Sequence, residues 1–289
     1  MTTLVWAGGL LRAEDDPIVR AGDHGWTVGD GVFETMEVVG GRAFALRRHL
    51  KRLAYSAARM GMPPVDEDAV REAIGEVLAA GSGLTRVRVT VSSGPGPMSS
   101  ARGTGPHTIV VTANDGPALT ECRAVRVPWR RNERSPIAGV KSTSYAENVV
   151  MMEFARSRGA DEALMANTHG HLCEGTASNI LIERGEEIVT PPLASGCLPG
   201  IVRGLALEWG SDAGIPIRAA APGELDMGVL DEVVRGEAFA AVTSSTRRVQ
   251  PLTALDGTLV ERGPLLEQLA AVFDVHAARD ADPAPRRSK

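Results

Sequence analysis

Gly31-Val32-Phe33-Glu34-Thr35-Met36-Glu37-Val38-Val39 is followed by Gly40-Gly41 and then by Arg42-Ala43-Phe44-Ala45-Leu46. The first run reads as a strand, the glycine pair supplies the positive φ of a tight turn, and the third run reads as the returning arm of a hairpin. Beyond it, Leu50, Leu53, Ala54, Ala57 and Met60 recur at helical spacing, and Val70, Ile74, Val77 and Leu78 mark a second helix behind Asp66 or Asp68. Arg86 to Val91 alternates polar and apolar residues with period two, and Thr108 to Thr112 is another β-branched run. Gly94-Pro95-Gly96-Pro97 between them is a turn or loop. Strands and helices interleave, and the expected class is α/β in the mixed, α+β sense.

Asn114 to Thr120 carries Asp-Gly-Pro and no periodicity. The expected division is a smaller N-terminal α/β domain over residues 1–113, a linker at 114–121, a larger C-terminal domain over 122–280 and a polar tail at 281–289. Within the larger domain the pattern predicts a strand near Arg123 to Val127 and a helix from about Tyr145 to Arg158. Short strands follow near Glu162 to Asn167, Ser178 to Ile182 and Glu187 to Thr190. A helix starts near Gly200, Ala238 to Thr243 reads as a buried strand, and Leu265 to Ala278 reads as a terminal helix.

The 289 residues are 43% hydrophobic and 23% charged, an ordinary globular composition. A net charge of -5 and a pI near 5.8, with no basic stretch alternating with aromatics, argue against a nucleic-acid partner. No apolar run approaches the roughly 20 residues needed to span a bilayer. Met1-Thr2-Thr3-Leu4 lacks the plan of a signal peptide, so a cytoplasmic location is expected. Cys122, Cys173 and Cys197 have no Cys-x-x-Cys spacing and read as packing residues, with no disulfide and no metal expected.

Lysine usage is more informative. The basic residues are almost all arginine, leaving Lys51, Lys141 and Lys289. Arginine supplies charge as well as lysine does, but its guanidinium cannot form an imine with an aldehyde. Lys289 sits in the polar tail and Lys51 on the expected solvent side of a helix, which leaves Lys141 as the candidate for amine chemistry.

Dinucleotide, zinc-protease and nucleophile-elbow motifs are missing, and Gly139-Val140-Lys141-Ser142-Thr143 lacks the upstream glycine of a phosphate loop. Several pieces remain, scattered in order along the chain: Asp23-His24-Gly25, Gly31-Val32-Phe33-Glu34-Thr35, His49-Leu50-Lys51-Arg52-Leu53 and Lys141-Ser142-Thr143-Ser144-Tyr145. After them come Glu174-Gly175-Thr176-Ala177-Ser178-Asn179, Leu198-Pro199-Gly200-Ile201-Val202-Arg203 and Thr243-Ser244-Ser245-Thr246. This set resembles the fold type IV enzymes that use pyridoxal 5'-phosphate (PLP), the class holding branched-chain aminotransferases, D-amino acid aminotransferases and 4-amino-4-deoxychorismate lyases. The likeness covers nearly the whole length.

The resemblance implies a two-domain, D-amino acid aminotransferase-like fold with the cofactor at the domain interface. By the same likeness Lys141 is the catalytic lysine that holds PLP as a Schiff base, and Glu174 is the carboxylate that pairs with the pyridine nitrogen. Arg52 matches the arginine on the cofactor phosphate, Tyr145 the tyrosine near the ring hydroxyl, and Leu198 the apolar residue against the ring. Gly200, Ile201 and Val202 open a helix whose free amides favour a phosphate, helped by Ser245 and Thr246. Val202 departs from the many relatives that carry threonine there, so phosphate binding at that position rests on the backbone. Arg47 and Arg48 are expected to be solvated. Phe33, Ser93 and Thr246 are the expected substrate contacts.

Lyase and transaminase share the lysine, the glutamate and the arginine. Ser92-Ser93-Gly94 stands where D-amino acid aminotransferases carry Thr-Arg-Gly, which weakens that reading and also differs from the lyases that have an arginine there. The combination Asp23-His24-Gly25, Gly31 to Thr35, Arg86 to Val89 and Lys141-Ser142-x-x-Tyr145 is most similar to aminodeoxychorismate lyases, which release pyruvate and 4-aminobenzoate. The alternatives are a class IV aminotransferase for branched-chain or D-amino acids with a 2-oxo acid acceptor, and a PLP-binding protein without turnover. The partners implied are a small-molecule substrate and a second copy of the chain, reached through the Ser93 to Met98 loop.

Overall fold

The computed structural model describes residues 3–117 and 119–285. Lys289, assigned to the tail, lies outside the described residues, as do Met1 and Thr2 at the start and Ala118 in the expected linker. Two compact units result. One takes residues 3–117, 140–145 and 280–285, and the other takes 119–139 and 146–279.

The first unit contains β1 (Leu4–Ala7), β2 (Leu10–Arg12), α1 (His24–Thr27), β3 (Gly31–Val39), β4 (Arg42–Ala43), α2 (Leu46–Arg59), α3 (Glu67–Ala79), β5 (Arg86–Ser92) and β6 (Thr108–Asn114). Its strands form one antiparallel sheet in the order β2-β1-β6-β5-β3-β4. The hairpin turn at Gly40-Gly41 forms, with φ of 57° and 75°, but its return arm is short because α2 begins at Leu46. Asp66 caps α3 by accepting from the amides of Asp68 and Ala69 at 3.1 and 3.0 Å.

Val32 and Met36 of β3, Val87, Val89 and Val91 of β5 and Val111 of β6 pack with Leu50 and Leu53 of α2 and with Val70, Ile74 and Val77 of α3. Each fully buried aliphatic side chain contributes about 1.5 to 3 kcal/mol relative to exposure. The period of two then puts Phe33 and Arg88 on the opposite face of the sheet.

Two segments depart from the expected boundaries. Residues 140–145 join the first unit because the chain pairs there with β3. The Phe33 amide donates to Lys141 O at 3.1 Å, the Thr143 amide to Gly31 O at 2.8 Å, and Val32 bridges Ser142. Residues 280–285 join it as well. Asp282 accepts from the Arg47 amide at 2.9 Å and from Arg47 Nε at 2.8 Å, and Arg48 donates to Pro283 O and Ala284 O at 3.1 and 2.7 Å. The two arginines expected to be solvated therefore hold the end of the chain, and a carboxylate at the start of α2 satisfies an amide that has no helical partner.

The second unit contains β7 (Arg123–Arg131), α4 (Ala146–Arg156), β8 (Glu162–Asn167), β9 (Leu172–Gly175), β10 (Asn179–Arg184), β11 (Glu187–Thr190), α5 (Ile201–Asp212), β12 (Ile217–Ala219), α6 (Val229–Arg235), β13 (Phe239–Ser244), β14 (Arg248–Pro251), β15 (Ala254–Leu255), β16 (Thr258–Leu259) and α7 (Pro264–Arg279). It holds two five-stranded sheets, β12-β11-β10-β13-β14 and β16-β15-β7-β8-β9. The β7–β8 and β11–β12 pairs are parallel, and α4 and α5 make the crossovers they need. Cys122, Cys173 and Cys197 are buried and unpaired as disulfides, as expected of packing residues, and burial pushes the Cys122 thiol up to about 12. Among the described residues no helix is long and apolar enough to cross a membrane.

Candidate active site

In the first unit the sequence-predicted residues Lys141, Tyr145 and Phe33 come together. Lys141 Nζ lies 4.4 Å from the centroid of the Phe33 ring and 5.6 Å from that of Tyr145, and the two rings meet edge to face at 5.1 Å. The lysine backbone is held from two sides, by the Phe33 amide on its carbonyl and by Ser56 Oγ, which accepts from its amide at 3.3 Å. Arg88, which sequence reasoning placed in a strand and in the lyase-like stretch Arg86 to Val89 without a role of its own, places its guanidinium carbon 3.9 Å from the same Phe33 ring. Its side chain is exposed on that face. The alternation of β5 made its face legible, but not its neighbours. Ser93 is buried, with its amide on Asp30 O at 3.0 Å.

Arg52 lies in the same unit, on the helix side of the sheet. Its Nε and Nη2 donate to the two oxygens of Glu34 at 2.8 and 2.7 Å, and His49 Nδ1 is 2.7 Å from Glu34 Oε2. Burial would raise the Glu34 carboxyl, but the charge and hydrogen bonds of Arg52, with those of His49, hold it at about 2. Burial lowers the His49 pKa, against the pull of Glu34. Both groups bind protons more readily in the unfolded chain, so their contribution to stability is present at neutral pH and lost on acidification. We expect stability to fall as pH drops below 6.5, through His49, and to fall further between about 4.5 and 2, through Glu34. Urea unfolding across that range checks this; Glu34→Gln should flatten the lower part, and an unchanged profile in that variant would contradict it.

The second unit brings together Glu174, Leu198, Gly200, Ile201 and Val202. Glu174 Oε2 accepts from the Leu198 amide at 2.8 Å, and Oε1 is 3.4 Å from Arg131 Nη2. Asn179 Nδ2 donates to Leu198 O at 2.9 Å, so the main chain of half-buried Leu198 is fixed at both its amide and its carbonyl. Gly200 is the N-cap of α5 and has no side-chain cap; the Val202 side chain is buried, which leaves its backbone as the polar group. Ser245 and Thr246 lie in the turn between β13 and β14, with Thr246 Oγ1 3.3 Å from Ser244 Oγ.

These groups fit the phosphate end of PLP. Thr243 Oγ1 is buried without a hydrogen-bond partner among the described residues, and its ladder partner Asn179 packs its side-chain oxygen against Gly200. A Cβ on Gly200 would lie 1.9 Å from that oxygen, so only glycine leaves the turn in place. The φ of -63° is ordinary, and the penalty of a side chain is steric. Gly200→Ala is therefore expected to destabilise by about 1 to 3 kcal/mol in denaturant unfolding, because the Asn179 clamp must move. Wild-type stability in that variant would contradict the close approach.

Sequence reasoning gave no role to Arg131, nor to Glu162, although Gly159-Ala160-Asp161-Glu162-Ala163 is one of the pieces shared with the family. Buried Glu162 accepts from the Thr176 amide at 2.8 Å and from Ser178 Oγ at 2.7 Å, which fixes the turn after Glu174. A glutamate heading a strand of otherwise apolar character was the other available signal.

The profile of the family described as amino-transferase class IV matches residues 31–255. A bifunctional aminodeoxychorismate lyase / D-amino acid transaminase from Mycobacterium tuberculosis is 27% identical over 296 residues, covering 91% of this chain and 95% of the relative. A branched-chain-amino-acid aminotransferase from Pseudomonas aeruginosa is 28% identical over 295 residues, covering 94% of this chain and 92% of the relative. A solved structure described as a hypothetical aminotransferase from Mycobacterium tuberculosis, in its PLP-bound form, superposes with a TM-score of 0.82 at 26% identity, covering 95% of this chain and 98% of that one.

Proposed function

The chain belongs to the class IV amino-transferases, enzymes of fold type IV that use PLP, and on that premise we propose that it is a 4-amino-4-deoxychorismate lyase. The observation that carries the reading is the amine of Lys141 and the cation of Arg88 on one aromatic ring, Phe33, which suits a primary amine that also bears a carboxylate. The motif set quoted above and the lyase activity in the name of the 27% identical mycobacterial relative support elimination. Amino acid transamination is the second reading, favoured by the name of the Pseudomonas relative.

PLP, when bound, supplies an aldehyde that captures amines and a ring that withdraws electrons from the bonds next to the captured nitrogen. Lys141 Nζ is the amine that would hold the aldehyde, and once displaced by a substrate amine it would serve as the base for the proton beside that amine. In the lyase reading this proton comes from the substrate ring, the ring C–O bond to the enolpyruvyl group breaks as the ring becomes aromatic, and the enolpyruvate that leaves takes up a proton to become pyruvate. Glu174, fixed by the Leu198 amide, would pair with the ring nitrogen, and Leu198 would cover the ring. Tyr145 would orient the ring through the ring hydroxyl. The residues that would hold the phosphate are Arg52 and, by the amides of Gly200, Ile201 and Val202 and the hydroxyls of Ser245 and Thr246, the turn that opens α5 and the one between β13 and β14. Phe33, Ser93, Thr246 and Arg88 contact substrate. A homodimer completes the proposal.

The test is a direct assay. Purified protein receives 4-amino-4-deoxychorismate without any 2-oxo acid, beside a panel of D- and branched-chain L-amino acids with 2-oxoglutarate or pyruvate. Catalytic release of 4-aminobenzoate and pyruvate is the expected result. Inertness to that substrate, with turnover of an amino acid that needs a 2-oxo acid, would replace the lyase with the aminotransferase.

A further inference from the structure

We propose that Glu34 and His49 are positioning residues for Arg52, fixing which edge of its guanidinium is offered to the cofactor phosphate. The inference rests on the reading above that Arg52 holds that phosphate, and it adds two residues whose action is exerted through another side chain.

The arrangement is fully internal. Glu34, His49 and Arg52 are exposed by 0%, 1% and 8%. Glu34 takes the Nε and Nη2 donors of Arg52 in a two-bond fork, so the guanidinium plane cannot turn about its last bond. A carboxylate at this site can only accept, so His49 Nδ1 carries the proton in its 2.7 Å contact with Oε2. That bond fixes the rotation of the carboxylate in turn. The order of support runs from His49 through Glu34 to Arg52.

The same two elements set the reactive lysine. His49, Arg52 and Ser56 are spaced three and four residues apart on α2 and share one face, and Ser56 Oγ accepts from the Lys141 amide at 3.3 Å. On β3, Glu34 follows Phe33, whose amide donates to Lys141 O. The side-chain period on β3 puts Glu34 in the row of Val32 and Met36, both core residues. A charged group in that row is costly unless paired, and its neutralisation of Arg52 lets a cation sit buried beside an apolar core. If stability alone were served, an apolar pair would do as well there. A rigid, pre-paired guanidinium is what phosphate recognition adds.

A double-mutant cycle on the holoenzyme tests this. Glu34→Gln, Arg52→Leu, the double variant and His49→Asn are prepared, with the PLP dissociation constant read by dialysis and absorbance and thermal unfolding followed in parallel. Arg52→Leu should weaken PLP binding, and Glu34→Gln should weaken it by about 10- to 100-fold, the usual effect of losing a group that orients a ligand-binding side chain. The double variant should bind no more weakly than Arg52→Leu alone, because Glu34 acts through Arg52. His49→Asn, which keeps a donor, should lose less than Glu34→Gln. Glu34→Asp, with its charge kept and its reach shortened, is read in the same way where Glu34→Gln fails to fold. Wild-type affinity in the Glu34 variants beside a loss in Arg52→Leu would overturn the positioning role and leave the Arg52 reading standing. Losses that add in the double variant would overturn it too. Wild-type affinity in Arg52→Leu would remove the Arg52 reading, and the positioning role with it.

Discussion

Replacing Lys141 with alanine is expected to lower turnover by about a hundred- to ten-thousand-fold, the range over which a positioned proton-transfer group contributes to catalysis. The variant also loses the amine that holds the cofactor aldehyde. The expectation follows from the placement of Lys141 Nζ against Phe33 and Tyr145, with its backbone fixed by the Phe33 amide and Ser56. Lys51→Ala, at an exposed position of α2, is the matched control and should leave turnover unchanged. Initial rates on whichever substrate proves active measure both. A Lys141 variant within tenfold of wild type would exclude the amine from the chemistry.

Glu162→Ala is expected to have the largest effect on stability. The Glu162 carboxylate accepts from the amides of Ala163 and Thr176 at 3.0 and 2.8 Å, from Ser178 Oγ at 2.7 Å and from Thr176 Oγ1. Each buried donor left without a partner costs about 1 to 3 kcal/mol, and hydroxyls that rotate to new partners recover part of it. A net loss of roughly 4 kcal/mol is expected, a large share of the 5 to 15 kcal/mol typical of a folded domain. The turn from Gly175 to Ser178 directly follows Glu174, so weaker cofactor retention should accompany the loss. Denaturant unfolding measures the first effect; a change below about 1 kcal/mol would show that water replaces the carboxylate.

Much of this was legible in the sequence where a single periodic signal acts alone. Val87, Val89 and Val91 against Arg88 and Thr90 fixed both the existence and the faces of β5, and Asp66 marked the start of α3. Short elements were not legible: β9, β15 and β16 have two to four residues, too few for a period to show, and they form because longer strands already offer an edge. The segment around Lys141 reads as part of the second half of the chain, and only its hydrogen bonds to β3 and α2 assign it to the first unit. Arg47 is exposed as expected and Arg48 half-buried, but their bonds to the chain end were not foreseen because the partners, from Asp282 to Ala284, lie more than 230 residues away. The candidate site divides the same way. Lys141, Glu174 and Arg52 stood out through scarcity and resemblance, whereas Glu34, His49 and Glu162 gain meaning only from the buried groups they face.

Trapping the cofactor tests the central claim most directly. The holoenzyme is reduced with borohydride and digested, and the peptide carrying the pyridoxyl group is sequenced by mass spectrometry. The account predicts the modification on Lys141, with none on Lys51. A pyridoxyl group on Lys51, or none on any lysine of a protein that binds PLP, would contradict it.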